Sequence, residues 1–274
     1  MPEIITRALA EDAPGGDLTS TLVVDPGARC SAELRAKARG VVSGTHPAQA
    51  VFDVAASQDS AGPVEIDWKF EDGARVEPGD VLAAIRGPAR TVLRAERVAV
   101  NLLSHLSGVA TLTRAFVDAA APARVLCTRK TTPGLRELER EAVLAGGGTL
   151  HRASLSDAVL IKDNHLRLAG GVGEAVRRAE AGPAPVEVEV ESLRELDEAL
   201  ESGAERILLD NPTSELVAQA VERVGDVERL EISGGVTLES VGALVEAGAR
   251  VISVGRITHS APALDISLEV TGAS

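Results

Sequence analysis

The chain has 274 residues, enough for one large barrel or two domains, and 45% of them are hydrophobic, enough for a substantial core. A formal net charge of −13, with three Phe, one Trp and no Tyr, argues against nucleic acid as a partner: there is no polycation and no stacking platform. Cys30 and Cys127 make neither a disulfide framework nor a zinc cluster. The start MPEIITRALAED carries no basic n-region or apolar h-region, and no run approaches the roughly 18 apolar residues of a membrane span, so a cytoplasmic protein without membrane contact is expected.

Residues 1–12 predict a short helix, and EDAPGGDLTS a surface loop with Asp17 and Thr19 as turn or cap residues. From Cys30 to Ile85 the chain reads as short strands (SAELRAK, RGVVSG, VEIDWKF, DVLAAIRG) around one helix, Pro47 to Ala56. EDGARVEPGDVLAAIRG resembles the turn-rich hammerhead strands of carrier domains, without a lysine at a hairpin tip for attachment. Ala89 to Ala121 reads as a long helix or a broken pair, apolar over much of its circumference and so buried on most sides. The domain boundary falls in or just before it: 1–100 form an α/β domain rejoined by 261–274, and 101–260 a second domain.

In the second part Thr132-Pro133 predicts a helix start and Gly146 to Gly148 its end, with Arg136 and Arg140 on its solvated face. Ser192 and Glu195 form a capping box, and Thr237 caps a helix that stops at Gly248. After Gly255 no clear helix follows, and THSAPALDISLEV ends in an alternating strand expected to return to the first domain.

The apolar runs of this part end in polar residues. Arg129 and Lys130 follow ARVLC, His151 and Arg152 follow GGGTL, and Lys162 follows DAVLI. VEVEV runs into Glu191, RILL ends at Asp210 and Asn211, RLEI at Ser233, Gly234 and Gly235, and VISV at Gly255 and Arg256. β-Branched runs alternating with amphipathic segments read as βα units around a parallel sheet, and in a (β/α) barrel the C-terminal strand ends face the site.

Arg129, Lys130, His151, Arg152 and Lys162 then converge on one mouth. In an acidic chain that convergence points to a ligand with more than one negative charge, since hydrogen bonds to charged groups are worth roughly 1.5–3 kcal/mol each. The plainer reading, ion pairs with Asp157, Asp163 and nearby glutamates, would win for one residue and loses for five at strand ends. Ser233-Gly234-Gly235 and Val254-Gly255-Arg256 end successive strands, where backbone N–H groups can approach a phosphate. Alternation puts Glu187, Glu189 and Glu191 on one side of their strand; with Asp210 they can hold Mg²⁺ or ribose hydroxyls, or pair with the cations. No Ser/His/Asp triad or zinc spacing is present, and nothing near Cys127 marks a base for a thiolate nucleophile.

TRKTTPGLRELEREAVLAGGGTLHR, LSDAVLIKDNH, VEVEVES, ILLDN, SGGVTLE and VGRITHSAPALDISLEV, with GDLTS and ERVAVNLLSHLSGVATLT upstream, together resemble the quinolinate phosphoribosyltransferases. The resemblance covers nearly the whole chain. It implies an N-terminal α/β sandwich and an open seven-stranded (β/α) TIM-like barrel. It also implies phosphoribosyl transfer from phosphoribosyl pyrophosphate to quinolinate, with loss of CO₂ and pyrophosphate and a requirement for Mg²⁺. A homodimer or a dimer-based hexamer with shared sites is expected. By motif, Arg129, His151, Arg152 and Lys162 would bind the quinolinate carboxylates, Arg97 would reach in from a partner subunit, and Thr128, Lys130 and His259 would contact the ligands. Glu189 and Asp210 would serve the ribose and Mg²⁺, held mainly through the pyrophosphate, and Ser233 to Gly235 with Val254 to Arg256 the 5′-phosphate. The catalytic set is Lys130, Lys162, Glu189 and Asp210. The chain departs from the family pattern at Cys127 (usually Asp), Leu150 (usually Asn) and Arg256 (usually small).

Three alternatives stand beside this. One is a phosphoribosyltransferase for another aromatic acid, or a molybdenum-transport-associated homologue. Another is a Schiff-base lyase using Lys130 or Lys162. The last is a noncatalytic phosphosugar-binding subunit.

Overall fold

The computed structural model describes residues 2–273. Contacts divide the chain into two units: one comprises residues up to Leu112, Pro133–Gly146 and those from Ala261 on, the other Thr113–Thr132 and Gly147–Ser260.

In chain order the first unit begins with α1 (Pro2–Asp12), α2 (Leu18–Val23), β1 (Arg29–Ala36), β2 (Gly40–Val41) and α3 (Thr45–Asp59). β3 (Glu65–Trp68), β4 (Arg75–Val76), β5 (Val81–Pro88) and the single long helix α4 (Ala89–Ala120) follow. α2 replaces part of the expected loop. Its free N–H groups find an acceptor in Asp17, whose Oδ1 takes the Ser20 N–H at 3.0 Å, so Thr19 sits inside a helix. The Ser20 hydroxyl, then the Ser20 N–H, lower the Asp17 pKa by stabilising the carboxylate. Arg90 closes the other end by donating to the carbonyls of Val24 (2.9 Å) and Thr21 (3.0 Å). α3 is capped from a distance: Asp72 accepts from the N–H groups of Gly44 (2.9 Å) and Thr45 (3.1 Å).

β6 (Arg124–Leu126) opens the second unit, and α5 (Arg136–Ala145) returns to the first. The helix expected from Thr132-Pro133 starts later because Gly134 has φ +85°, a left-handed backbone that no α-helix interior admits. Arg136 and Arg140 are half-buried and have interaction partners, so they do not form a solvated face. Leu138, Ala142 and Val143 bury the apolar side of α5, and fully buried Glu139 meets His105 Nε2 at 2.8 Å.

The rest of the second unit is β7 (Val159–Ile161), α6 (Asp163–Ala169), α7 (Val172–Glu180), β8 (Val186–Val190), α8 (Leu193–Glu201), β9 (Arg206–Asp210), α9 (Ser214–Val224), β10 (Leu230–Ser233), α10 (Leu238–Glu246), β11 (Val251–Ser253) and α11 (Arg256–His259). Its strands make one parallel sheet in the order β6-β11-β10-β9-β8-β7. Chain-sequential βα units wound in this order form the open barrel. Thr149 bridges Leu126 on the far side of β6, so the seventh stave is reduced to a single bridged residue. The buried side chains of Val188, Val190, Ile207, Leu209 and Ile232 fill the sheet.

Ser192 accepts from Glu195 N–H at 3.3 Å, while Glu195 reaches back to Glu191 N–H at 2.9 Å, one residue before the position a capping box uses. Thr237 and Ser240 form a full box. α10 ends at Glu246, ahead of Gly248 at φ +109°. The one-turn α11, not expected from the sequence, is tied by the Thr258 hydroxyl to the Gly255 carbonyl at 3.0 Å.

β12 (Ile266–Ala273) belongs to the first unit and pairs antiparallel with β1 from Leu34↔Leu268 to Ala36↔Ile266 and beyond. The sheet there runs β12-β1-β5-β3 and covers a core of Leu34, Phe52, Leu82, Ile85 and Leu103.

Candidate active site

Two adjoining cavities open at the C-terminal strand ends of the second unit. Each holds about 240 Å³, and they share Thr128, Lys130, Ser233 and Ser253.

The first cavity is lined by Gly234, Gly235, Val254, Gly255, Arg256 and His259. Glycine is required at one of these places and leaves room at another. Gly234 has φ +85°, and a Cβ there would lie 2.6 Å from Asp210 Oδ1. A Cβ on Gly255 would lie 3.1 Å from Lys130 Cδ and 3.3 Å from His259 Nε2, filling the cradle. The loops are cross-braced: Ser253 donates to Ser233 at 2.9 Å, and Thr258 donates to the Lys130 carbonyl at 2.8 Å. A backbone-lined hollow with Lys130 and Arg256 at its rim is suited to a phosphate.

The second cavity is lined by Arg129, His151, Arg152, Lys162, Asp210 and Glu231, with Leu160 and Leu208 as an apolar floor. Arg152 donates to the Ala158 carbonyl at 2.8 Å. Burial first, and the neighbouring Arg129 second, push the Arg152 pKa down. Cations held this close favour an anion between them. Lys162 is ion-paired with Glu189, and its N–H donates to His165 Nδ1 at 2.9 Å. Asp210 accepts from the Asn211 amide at 2.6 Å, with Asn211 at φ +49°.

His151 faces inward. Its Nε2 lies 3.3 Å from Glu187 and 3.4 Å from Glu231, both buried, and its Nδ1 accepts the Arg152 N–H at 2.7 Å. Glu187 first and Glu231 second raise the His151 pKa to about 9 against the pull of burial. The Arg152 N–H opposes a second ring proton, so the fixed feature is a hydrogen on Nε2 shared between carboxylates.

Glu189 reaches the edge of the mouth through its ion pair with Lys162, and with Glu191 it lines an adjoining groove that also holds Asp163, Arg167 and Glu195. Arg97 belongs to the first unit, where its side chain is 62% exposed. Cys127 is buried, and Leu150 lines a different cavity with Arg124, Arg206 and Glu187; neither lines the two cavities of the mouth. Arg256 does line the first. Sequence reasoning passed over Ser253, Thr258 and Glu231. Glu231 alone left a trace, an acid inside the apolar run RLEI.

The fold and this mouth define a (β/α) barrel with an anion-suited site at its C-terminal strand ends, a glycine-lined hollow beside a pocket lined by Arg129, Arg152 and Lys162. The family model "Quinolinate phosphoribosyl transferase, N-terminal domain" matches residues 17–107, and the C-terminal domain model matches 109–269. A nicotinate-nucleotide pyrophosphorylase (carboxylating) of Mycobacterium leprae is 40% identical over 277 residues, covering 98% of this chain and 96% of that one. A probable nicotinate-nucleotide pyrophosphorylase of Archaeoglobus fulgidus is 41% identical over 266 residues, covering 94% and 99%. The solved nicotinate-nucleotide pyrophosphorylase of Francisella tularensis superposes with a TM-score of 0.89 at 34% identity, over 98% of this chain and 95% of that one. The chain belongs to the quinolinate phosphoribosyltransferase family. Among the described residues no helix is long and apolar enough to cross a membrane.

Proposed function

We propose that the chain transfers phosphoribosyl from phosphoribosyl pyrophosphate to quinolinate and decarboxylates the product, releasing nicotinate mononucleotide, pyrophosphate and CO₂ for de novo NAD synthesis. The observation that carries this reading is the pair of joined cavities, one glycine-lined and one lined by Arg129, Arg152 and Lys162, meeting at Lys130.

The glycine loops hold the 5′-phosphate with backbone N–H groups, and Arg256 adds a cation there. Arg129, Arg152 and Lys162 hold the two carboxylates of the acid, with the His151 segment shaping the pocket wall. Two fixed ligands bring the ring nitrogen to the ribose C1. Breaking the C1–pyrophosphate bond builds positive charge on the sugar and negative charge on the leaving group; Asp210 stabilises the first and Lys130 the second. Transfer leaves the ring nitrogen cationic, and that charge stabilises the carbanion formed when the adjacent carboxylate leaves as CO₂; the carbanion then takes up a proton from water to give the product. No nucleophilic side chain is needed. Mg²⁺ would neutralise pyrophosphate charge. The oxygen donors of Asp210 fit that hard cation, arriving mainly with the pyrophosphate, whereas Glu189 is engaged by Lys162.

The working unit is a homodimer, or a hexamer built from three such dimers, in which exposed Arg97 completes the partner's acid pocket. Two buried, unpaired cysteines suit the cytoplasm. Pyrophosphate and CO₂ release from phosphoribosyl pyrophosphate, Mg²⁺ and quinolinate, with nicotinate in parallel, tests the reading. Both products with quinolinate alone support it. Neither product from folded protein overturns it.

A further inference from the structure

The wall of the acid pocket between Thr149 and Val159 has no helix or strand. Its shape depends on side-chain anchors. Asp157 is one, accepting from Ala153 N–H at 2.7 Å and Ser154 N–H at 3.0 Å. Arg152 is another, through the Ala158 carbonyl at 2.8 Å, and His151 a third. Its Nε2 reaches down to Glu187 on β8 and Glu231 on β10, and its Nδ1 receives the N–H of Arg152. Neither ring nitrogen is left for a ligand in this arrangement.

Glu187 also attracts the Arg152 guanidinium. Glu231 is 4% exposed, and its Oε1 is buried without a hydrogen-bond partner. A half-satisfied buried carboxylate is costly for a barrel interior, where an aliphatic side chain would pack at no such penalty. The three groups also have the spacing of a metal site, with ligand atoms within 4.8 Å of one another. The Arg152 N–H directed at Nδ1 places the ring hydrogen on Nε2, leaving no lone pair there for a cation.

We propose that Glu187 and Glu231 are positioning residues for the acid substrate: by fixing His151 they fix the backbone of Arg152 and aim its guanidinium into the pocket. This rests on the acid being bound by Arg152, as proposed above. Glu231→Leu should raise the KM for quinolinate about tenfold or more, the size of one lost charge-assisted hydrogen bond. The KM for phosphoribosyl pyrophosphate and the kcat at saturating acid should stay within about twofold. Glu231→Gln restores the acceptor for Nε2–H and should recover most of the acid KM. His151→Phe should show the same selective rise as Glu231→Leu, and the double variant should be no worse than either, because one anchor is lost only once. It also serves as the reporter if Glu231→Leu does not fold.

An unchanged acid KM in folded Glu231→Leu, or additive losses in the double variant, overturns the proposal. So does a large loss of kcat at saturating acid in both the Leu and the Gln variant, which would make Glu231 a proton carrier. Wild-type turnover is measured alongside. Its absence overturns the functional reading together with this one, whereas normal wild-type turnover with unaffected variants overturns only this one.

Discussion

Thr258, 1% exposed, donates its hydroxyl to the carbonyl oxygen of Lys130 at 2.8 Å and thereby joins the loop after β11 to the loop after β6. The glycine-lined hollow is thus tied to the lysine at its rim by this hydroxyl, beside the Ser253–Ser233 brace. Thr258→Val keeps the shape and removes the donor. The stranded acceptor should cost about 1–3 kcal/mol, and the KM for phosphoribosyl pyrophosphate should rise severalfold while that for quinolinate moves little. Thermal melts and two-substrate kinetics check both parts; an unaltered phosphosugar KM would show that the brace does not set the hollow.

Arg152→Ala and Lys162→Ala should each abolish measurable turnover, with a loss of about 10² or more expected for removing a preorganised charge from a site of this kind. Both side chains line the acid pocket and neither is part of the core, so the melting temperature should hold. Near-normal activity in either variant would invalidate the assignment of the acid pocket. Lys162→Ala also releases Glu189, so Lys162→Ala/Glu189→Gln separates a lost cation from a liberated carboxylate.

Gly234→Ala tests the other cavity. At φ +85° an L-residue costs about 1–3 kcal/mol. The added methyl also falls on Asp210 and Asn211, the carboxylate assigned to the ribose and its amide partner. Activity should therefore fall more than stability does. A variant with lowered Tm and intact kcat would mean that Asp210 is free to move aside.

The barrel was readable because each strand end carries its chemistry in a fixed place. Apolar runs closing on Arg129, Lys162, Asp210, Ser233 and Gly255 give both the element and the side of the site. What failed to show was tertiary. Gly134 delays α5 through a backbone angle that the Thr-Pro signal does not encode. Asp17, a turn or cap residue by sequence, does cap α2; what stayed hidden is the helix LTSTLV itself, which reads as loop. His151 reads as one more cation at a strand end, yet its ring points inward, and the acids that hold it lie in strands 36 and 80 residues further on (187 − 151 and 231 − 151). Glu231 reads as a polar break in an apolar strand until its partner is known.

The proposed sharing of sites between subunits gives the last prediction. Arg97 is exposed on α4, and the cavities of the mouth are lined by residues of the second unit alone. If Arg97 serves a partner subunit, Arg97→Ala and Lys162→Ala should each be inactive as pure proteins. Mixed after reversible dissociation, they should recover about a quarter of wild-type activity, because half of the dimers are mixed and each mixed dimer has one intact site of two. The recovered activity should follow the product of the two concentrations and vanish when subunit exchange is blocked by cross-linking. A mixture that stays inactive while mass spectrometry shows the mixed dimer would place Arg97 outside the reaction or within its own subunit's site.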